Sequence, residues 1–358
     1  MKTFFIAGAQ RSGTTLLSVL LSKHKDIHID LDTVVYRIIT CFGLYKEALP
    51  YNLEYSKEEI LSWLIKNDYK GRLSELISQE NIGSASSVKS SVSRAIQEVL
   101  TKNSKKVFGD KAPEIENFIP ELLLLIPHAK IIHIVRDGRA VAASKYKRAH
   151  TNLSLGAQQW LESNILALSN QALIGEENYK IVKYEDLIRY PEKELKEICT
   201  FLEVEYDPQM TVEVEGQKTD ELYVKSSIDA SKIDSFKKEL SKSQIKKIER
   251  IQAPLLKRFA YDLEFPIKET KYRQMSVLKR LFFSQEDNVR QLLVGKRMGM
   301  KSGKNVMVNI PLKTRLKTFV FMLGYDLIPK RNFKRIFSKR WMKERYLSDE
   351  SEKTNLID

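Results

Sequence analysis

The chain has 358 residues, 42% hydrophobic and 30% charged, with a formal net charge of +14. That is a globular composition, long enough for one large α/β domain with an extension or for two domains. Two cysteines, Cys41 and Cys199, with no C-x-x-C spacing argue against a disulfide framework or a thiolate metal site, and no apolar run reaches the roughly 18 residues that span a bilayer.

The opening Met1-Lys2 and the apolar run behind it resemble the start of a signal peptide. The run stops after about six residues and Arg11 follows, so the segment reads as the first strand of a cytoplasmic protein. Residues 3–7 are that strand, a Gly/Ser-containing turn follows, and 14–21 (TTLLSVLL) read as a helix. Residues 56–66 carry a capping box, Ser56 and Glu59, and 88–102 repeat a helical pattern. The region 40–105 therefore reads as a helical insertion.

Beyond Val107-Phe108 and the string GDKAP, a helix is predicted over 114–126, ending near Pro127. Residues 130–135 (KIIHIV) form a nearly continuous apolar run, as in a strand buried on both faces of a parallel sheet; His133 within it reads as a core histidine. Helices are predicted over 139–147 and 156–174, a strand over 179–184, and a helix from Pro191 to about 202, with proline at its favoured first position. Ser241 and Gln244 form a second capping box before a helix that contains Pro254, a predicted kink. Strands alternating with helices predict an α/β, doubly wound, mainly parallel sheet flanked by helices.

Two strings carry chemistry. Gly8-Ala9-Gln10-Arg11-Ser12-Gly13-Thr14-Thr15 has phosphate-loop spacing between a strand and a helix, so backbone N–H groups and the helix N-terminus converge on an anion. Thr14 stands where a nucleotide triphosphatase has its lysine, and Arg11 supplies a fork-shaped cation instead. The second string follows the apolar strand: Arg136-Asp137-Gly138-Arg139, with Ser144 in the next helix. A triphosphatase often ends this strand in a metal-binding acid. Here an arginine and a hydroxyl are placed to grip a second phosphate, as on a nucleotide with an extra 3′-phosphate.

With these strings the chain resembles the sulfotransferases that use 3′-phosphoadenosine 5′-phosphosulfate (PAPS). FFIAGAQRSGTTLL resembles their 5′-phosphosulfate loop, IIHIVRDGRAVAASKYKR their 3′-phosphate motif, and KIVKYEDLIRYPEKELKEICTFLEV and IDSFKKELSKSQIKKIERIQAPLLKRFAY the segments that follow. The resemblance covers about residues 1–265 and is closest to the tyrosyl-protein and bacterial type. It implies that Arg11, Ser12, Gly13, Thr14 and Thr15 bind the 5′-phosphosulfate, that Arg136, Ser144 and Arg148 bind the 3′-phosphate, and that Tyr184 lies near the adenine. Lys111 matches a lysine that assists the transfer. Pro113 stands where the small-phenol enzymes have a histidine base. The resemblance to the tyrosyl-protein type points instead to Asp32 as general base, where the family usually has Glu, with Asp30 as the alternative. It implies no metal; His24 and His28, four apart, have no third ligand at metal spacing.

Residues 266–358 match no motif. They hold 22 Lys and Arg against 9 Asp and Glu, a net of +13 out of +14. The region reads as a basic, mainly helical extension. Within it KRNFKRIFSKRWMKER (330–345) spaces Phe333, Ile336, Phe337 and Trp341 at near-helical intervals. Packing on the core, an anionic membrane surface and a polyanionic acceptor all remain open for it. The competing readings of the whole chain are a phosphate-loop kinase or triphosphatase and a degenerate nucleotide fold that binds nucleic acid or membrane. The missing lysine and acid count against the first, and only C-terminal charge supports the second. The acceptor, a hydroxyl or amine of a protein, glycan, lipid or metabolite, is not legible in these residues.

Overall fold

The computed structural model describes residues 2–30, 105–112, 114–149, 151–212, 217–218, 223–224, 228–267, 275–294, 296–301 and 304–309, with the single positions Ile96, Leu100, Leu312, Lys313 and Leu316. Asp32, the segment 56–66, most of 40–105 and the segment 330–345 lie outside them.

Five strands form one parallel sheet: β1 (Lys2–Ala7), β2 (Ile27–Asp30), β3 (Val107–Lys111), β4 (Lys130–Val135) and β5 (Tyr179–Lys183). Their order is β2-β3-β1-β4-β5, with every pairing parallel. β1 sits at the centre, with Thr3 to Ala7 buried on both faces, which is why residues 4–7 read as an unbroken apolar run. Successive side chains of β1 leave opposite faces. Phe4 and Ile6 pack with Leu17 and Leu20 of α1 (Thr14–Ser22) on one side. Phe5 and Ala7 pack with Ile115, Ile119 and Leu122 on the other. The sheet is therefore covered on both faces, and the doubly wound expectation is met.

The element predicted over 114–126 is two pieces, a 3-10 turn Ile115–Phe118 and helix α2 (Ile119–Leu125). Pro120 is the reason: it has no N–H to give inside a helix but is tolerated in the first turn, so the α-helix starts beside it. Helix α3 (Gly138–Ala149) follows β4. Helix α4 (Leu153–Ile174) begins three residues before the predicted start because the Asn152 side chain accepts from the N–H groups of Ser154 and Leu155. The strand predicted over 179–184 ends at Lys183, and Tyr184 opens helix α5 (Tyr184–Arg189). Helix α6 (Pro191–Leu202) has proline at its start and Glu192 and Glu194 in the first turn, which favours the positive helix end. After the short α7 (Ser235–Glu239), helix α8 (Lys242–Arg258) is opened by the predicted Ser241–Gln244 capping box and runs on through Pro254.

Two short strands, β6 (Gln217–Lys218) and β7 (Tyr223–Val224), pair antiparallel before α7, and within the basic region lie helix α9 (Val277–Val294) and an antiparallel hairpin, β8 (Lys296–Lys301) with β9 (Lys304–Asn309). The hairpin was not expected. Its signal is the Ser302-Gly303 dipeptide between two six-residue runs.

Candidate active site

The chain leaves β1 for β2 and β3 on one side of the sheet, then crosses back to β4 on the other. The crevice at the carboxyl ends of β1 and β4 is thus a topological switch point, where open α/β sheets bind ligands. Both singled-out strings emerge there. Ala7, the last residue of β1, pairs with His133, so the loop that starts at Gly8 and the turn that starts at Arg136 leave adjacent strands on the same edge.

The loop requires its glycines. Gly8 has φ +140°, and a Cβ there would lie 2.6 Å from the Ile134 carbonyl oxygen. Gly13 has φ +108°, and a Cβ would lie 2.6 Å from the Tyr184 ring. Arg11 takes φ 78° with a side chain attached, a conformation that costs on the order of 1–3 kcal/mol. It is held there from two sides: its Nε donates to Ser144 Oγ at 3.1 Å, and its carbonyl accepts from an Arg136 guanidinium nitrogen at 3.4 Å. Helix α1 then starts with Gly13 as N-cap, with no capping side chain and no acid in its first turn, so its N–H groups and positive end face the loop.

Arg136 is the junction of the site. Its guanidinium stacks on Tyr184, 4.3 Å from the ring centroid, and donates to the Lys232 carbonyl at 2.8 Å. Its own carbonyl accepts from Trp160 Nε1 at 2.8 Å. Burial raises the Tyr184 phenol pKa, against the nearby Arg136 charge, so the ring is neutral. Two buried polar atoms here have no partner, Ser12 Oγ and Arg136 Nε. Each would cost about 1–3 kcal/mol if left unsatisfied, and both are donors, as an anionic phosphate requires.

Behind Arg136 lies a buried ionic network. Glu185 accepts from the Asp137 N–H at 3.0 Å and from the Tyr261 hydroxyl at 2.7 Å. Arg139 pairs with Asp137 at 2.7 Å and with Glu249 at 2.6 Å. Of the other predicted site residues, Lys111 ends β3 and pairs in register with Ile6, one residue short of the loop's approach. Asp30 ends β2, level with Asp110 of β3. Arg148 lies in α3; its side chain, like that of Asp30, lies outside the description. His133 is the expected core histidine. Its ring is bonded to Asn164 at 3.3 Å and to the Tyr179 hydroxyl at 3.1 Å, and burial lowers its pKa to about 4. Trp160, Glu185 and the Lys232 carbonyl were not singled out. Glu185 had a signal, its place next to Tyr184; the other two had none. Among the described residues no three His, Cys, Asp or Glu side chains are grouped to hold a metal.

A second buried cluster sits beside the loop. Glu114, in the left-handed region at φ 72°, donates its N–H to the Gly8 carbonyl at 3.3 Å. Glu116 accepts from Ser163 Oγ, and burial raises its pKa to about 7, the Ser163 and Gly8 hydrogen bonds opposing the rise. Lys145, next to Ser144, is buried, which lowers its pKa, while Glu114 and Glu116 hold it up. A carboxyl raised from 4.5 to about 7 contributes stability that is fully present below 4.5 and is lost as pH rises through 7. Glu116→Gln is therefore expected to flatten the fall in stability between about pH 5 and pH 8. The variant should gain on the order of 2–3 kcal/mol relative to the native chain at the upper end. Urea denaturation at both pH values measures this, and parallel profiles would remove Glu116 as the titrating group.

A family profile described as "Sulfotransferase family" matches residues 3–208. Protein-tyrosine sulfotransferase A of Caenorhabditis elegans is 27% identical over 222 residues, 58% of this chain and 51% of that protein. The protein-tyrosine sulfotransferase of Drosophila melanogaster is 28% identical over 223 residues, 58% of this chain and 39% of that protein. The matched part of this chain thus spans about half or less of these two relatives. Among solved structures, the sulfotransferase domain from the olefin synthase of Synechococcus PCC 7002 shares the fold, with TM-score 0.50 and 22% identity over 73% of this chain and 96% of that chain.

Proposed function

The chain belongs to the sulfotransferase family, and we propose that it moves the sulfuryl group of PAPS onto a hydroxyl or amine acceptor with the residues described above. The observation that carries this assignment is the meeting of Arg11, Ser144 and Arg136 beside two buried, partnerless donors, Ser12 Oγ and Arg136 Nε. A nucleotide with phosphates at both its 5′ and 3′ positions satisfies both donors at once. PAPS supplies the sulfuryl group as co-substrate.

In this reading the loop N–H groups with Arg11, Ser12, Gly13, Thr14 and Thr15 hold the 5′ end. Arg136 and Ser144, with Arg148, hold the 3′-phosphate, and Tyr184 borders the base. Asp32 takes the acceptor proton as the new O–S bond forms, with Asp30 as the alternative. Arg11 and Lys111 stabilise the negative charge left on the phosphate oxygen when the old S–O bond breaks. No step calls on a metal. Residues 1–265 act as the transferase domain, in the cytoplasm, with 266–358 as an accessory extension joined through α9.

Calorimetry without Mg²⁺ tests the nucleotide. Adenosine 3′,5′-bisphosphate is expected to bind, and ATP to bind at least about tenfold more weakly, since β4 is followed by Arg136 rather than an acid, and the carboxylate of Asp137 is engaged by Arg139 instead of being open to a metal. Tighter binding of ATP, or a Mg²⁺ requirement, would favour the kinase or triphosphatase reading. Mass spectrometry of candidate acceptors treated with enzyme and isotope-labelled PAPS then identifies the acceptor class.

A further inference from the structure

Helix α9 is amphipathic with its faces reversed. Among its described side chains the two that are buried, Arg280 and Asp287, are charged. Arg280 pairs with buried Glu162 of α4, and Asp287 accepts from the Asn152 N–H at 2.6 Å. Glu286 accepts from Asn152 Nδ2 at 2.8 Å and pairs with Arg290, whose guanidinium lies 5.5 Å from the Tyr146 ring. Four apolar side chains point the other way: Leu278 is 80% exposed, Phe282 68%, Val289 43% and Leu293 74%. With 3.6 residues per turn they fall within about 60° of arc and run about 22 Å along the helix. An apolar stripe on a helix ordinarily faces a core; here the helix is anchored through its polar side and the stripe is left outward.

We propose that this stripe rests on an anionic lipid surface, with α9 lying in the plane of the membrane. The charge around it selects the occupant. Between residues 275 and 313 the only acids are Glu286 and Asp287, and both are turned into the anchor. The cations of the same segment include exposed Lys279 and Lys313, together with Lys296, Arg297, Lys301 and Lys304 of the β8–β9 hairpin. A second copy of the chain would bring two such basic sets together and be repelled. The basic segment 330–345 of the same chain would be repelled for the same reason. A polyanion would satisfy the cations but leaves four large apolar side chains in water. An anionic bilayer meets both requirements, taking the stripe into the headgroup–acyl boundary and the cations at the phosphates. No helix among the described residues is long and apolar enough to cross a membrane, so α9 binds by lying on the surface.

The test is co-sedimentation of the full chain with phosphatidylcholine vesicles, with and without phosphatidylserine. Binding is expected only with phosphatidylserine and is expected to weaken steeply as salt is added. The triple variant Leu278→Gln, Phe282→Gln, Leu293→Gln should bind those vesicles about two orders of magnitude more weakly, because the buried apolar area is gone. Its melting temperature and its affinity for adenosine 3′,5′-bisphosphate are expected to be unchanged, since all three positions face outward. Vesicle binding equal to that of the native chain would overturn the stripe as the contact and leave a charge-only polyanion site. A native dimer that the triple variant converts to monomer, seen by sedimentation velocity, would make the stripe an interface between copies. Failure of the native chain to bind either vesicle would overturn the proposal outright.

Discussion

Arg136→Ala is expected to bind adenosine 3′,5′-bisphosphate roughly 2–5 kcal/mol more weakly than the native chain, the scale for removing one partner of a desolvated charge pair. The size follows from how much converges on this side chain. Its guanidinium is stacked on Tyr184, bonded to the Lys232 and Arg11 carbonyls, and still has a buried donor, Nε, without a partner. The substitution removes the cation and also releases Arg11, whose left-handed backbone is held partly through that carbonyl contact. The backbone of residue 136 should stay in place, because Trp160 and the Asp137–Glu185 bond hold it independently of the side chain. Calorimetry on the folded variant reads the loss. For adenosine 5′-phosphate, which lacks the 3′ group, the loss should be much smaller. Arg136→Lys should recover only part of the affinity, since an ammonium keeps the charge but not the planar fork that both carbonyls and a phosphate engage. Equal affinity of native chain and alanine variant would sink the assignment of Arg136 to the 3′-phosphate.

Asp32→Asn is expected to lower turnover by about two to four orders of magnitude while leaving nucleotide affinity nearly intact, as general-base removal does. The resemblance to the tyrosyl-protein type is what points to this residue, and the sheet bears only on its alternative. β2 ends at Asp30, level with Asp110 of β3, and β3 in turn carries Lys111 next to Ile6 of β1. Asp30, the alternative base, therefore ends its strand at the same edge of the sheet as the phosphate loop and Lys111. Single-turnover transfer from labelled PAPS measures the chemical step. If Asp30→Asn gives the loss and Asp32→Asn does not, the base is the earlier aspartate. If neither does, deprotonation falls to solvent or to the acceptor itself, and the rate should then follow the acceptor's own pKa.

What the sequence by itself determined is local. The phosphate loop was legible because its two glycines answer to positive φ and to close approach, constraints that act within a few residues. Helices α6 and α8 were legible for the same reason, since Pro191 and the Ser241–Gln244 box act within one turn. Strands β1 and β4 were legible because burial on both faces demands an unbroken apolar run. The errors were local too: Pro120 divides the element predicted over 114–126, Asn152 starts α4 early, and the β8–β9 turn went unread. The site's assembly was decided by the tertiary structure alone. Arg11 meets Ser144 across 133 residues, Arg136 meets the Lys232 carbonyl across 96, and Glu185 joins Asp137 to Tyr261. No spacing encodes those contacts, because they depend on which strands pair at the switch point and on backbone carbonyls that any residue could supply. The outward stripe of α9 belongs to the same category. A sequence shows that a helix has an apolar side, but which side is anchored depends on where Glu162 and Asn152 wait in the folded chain.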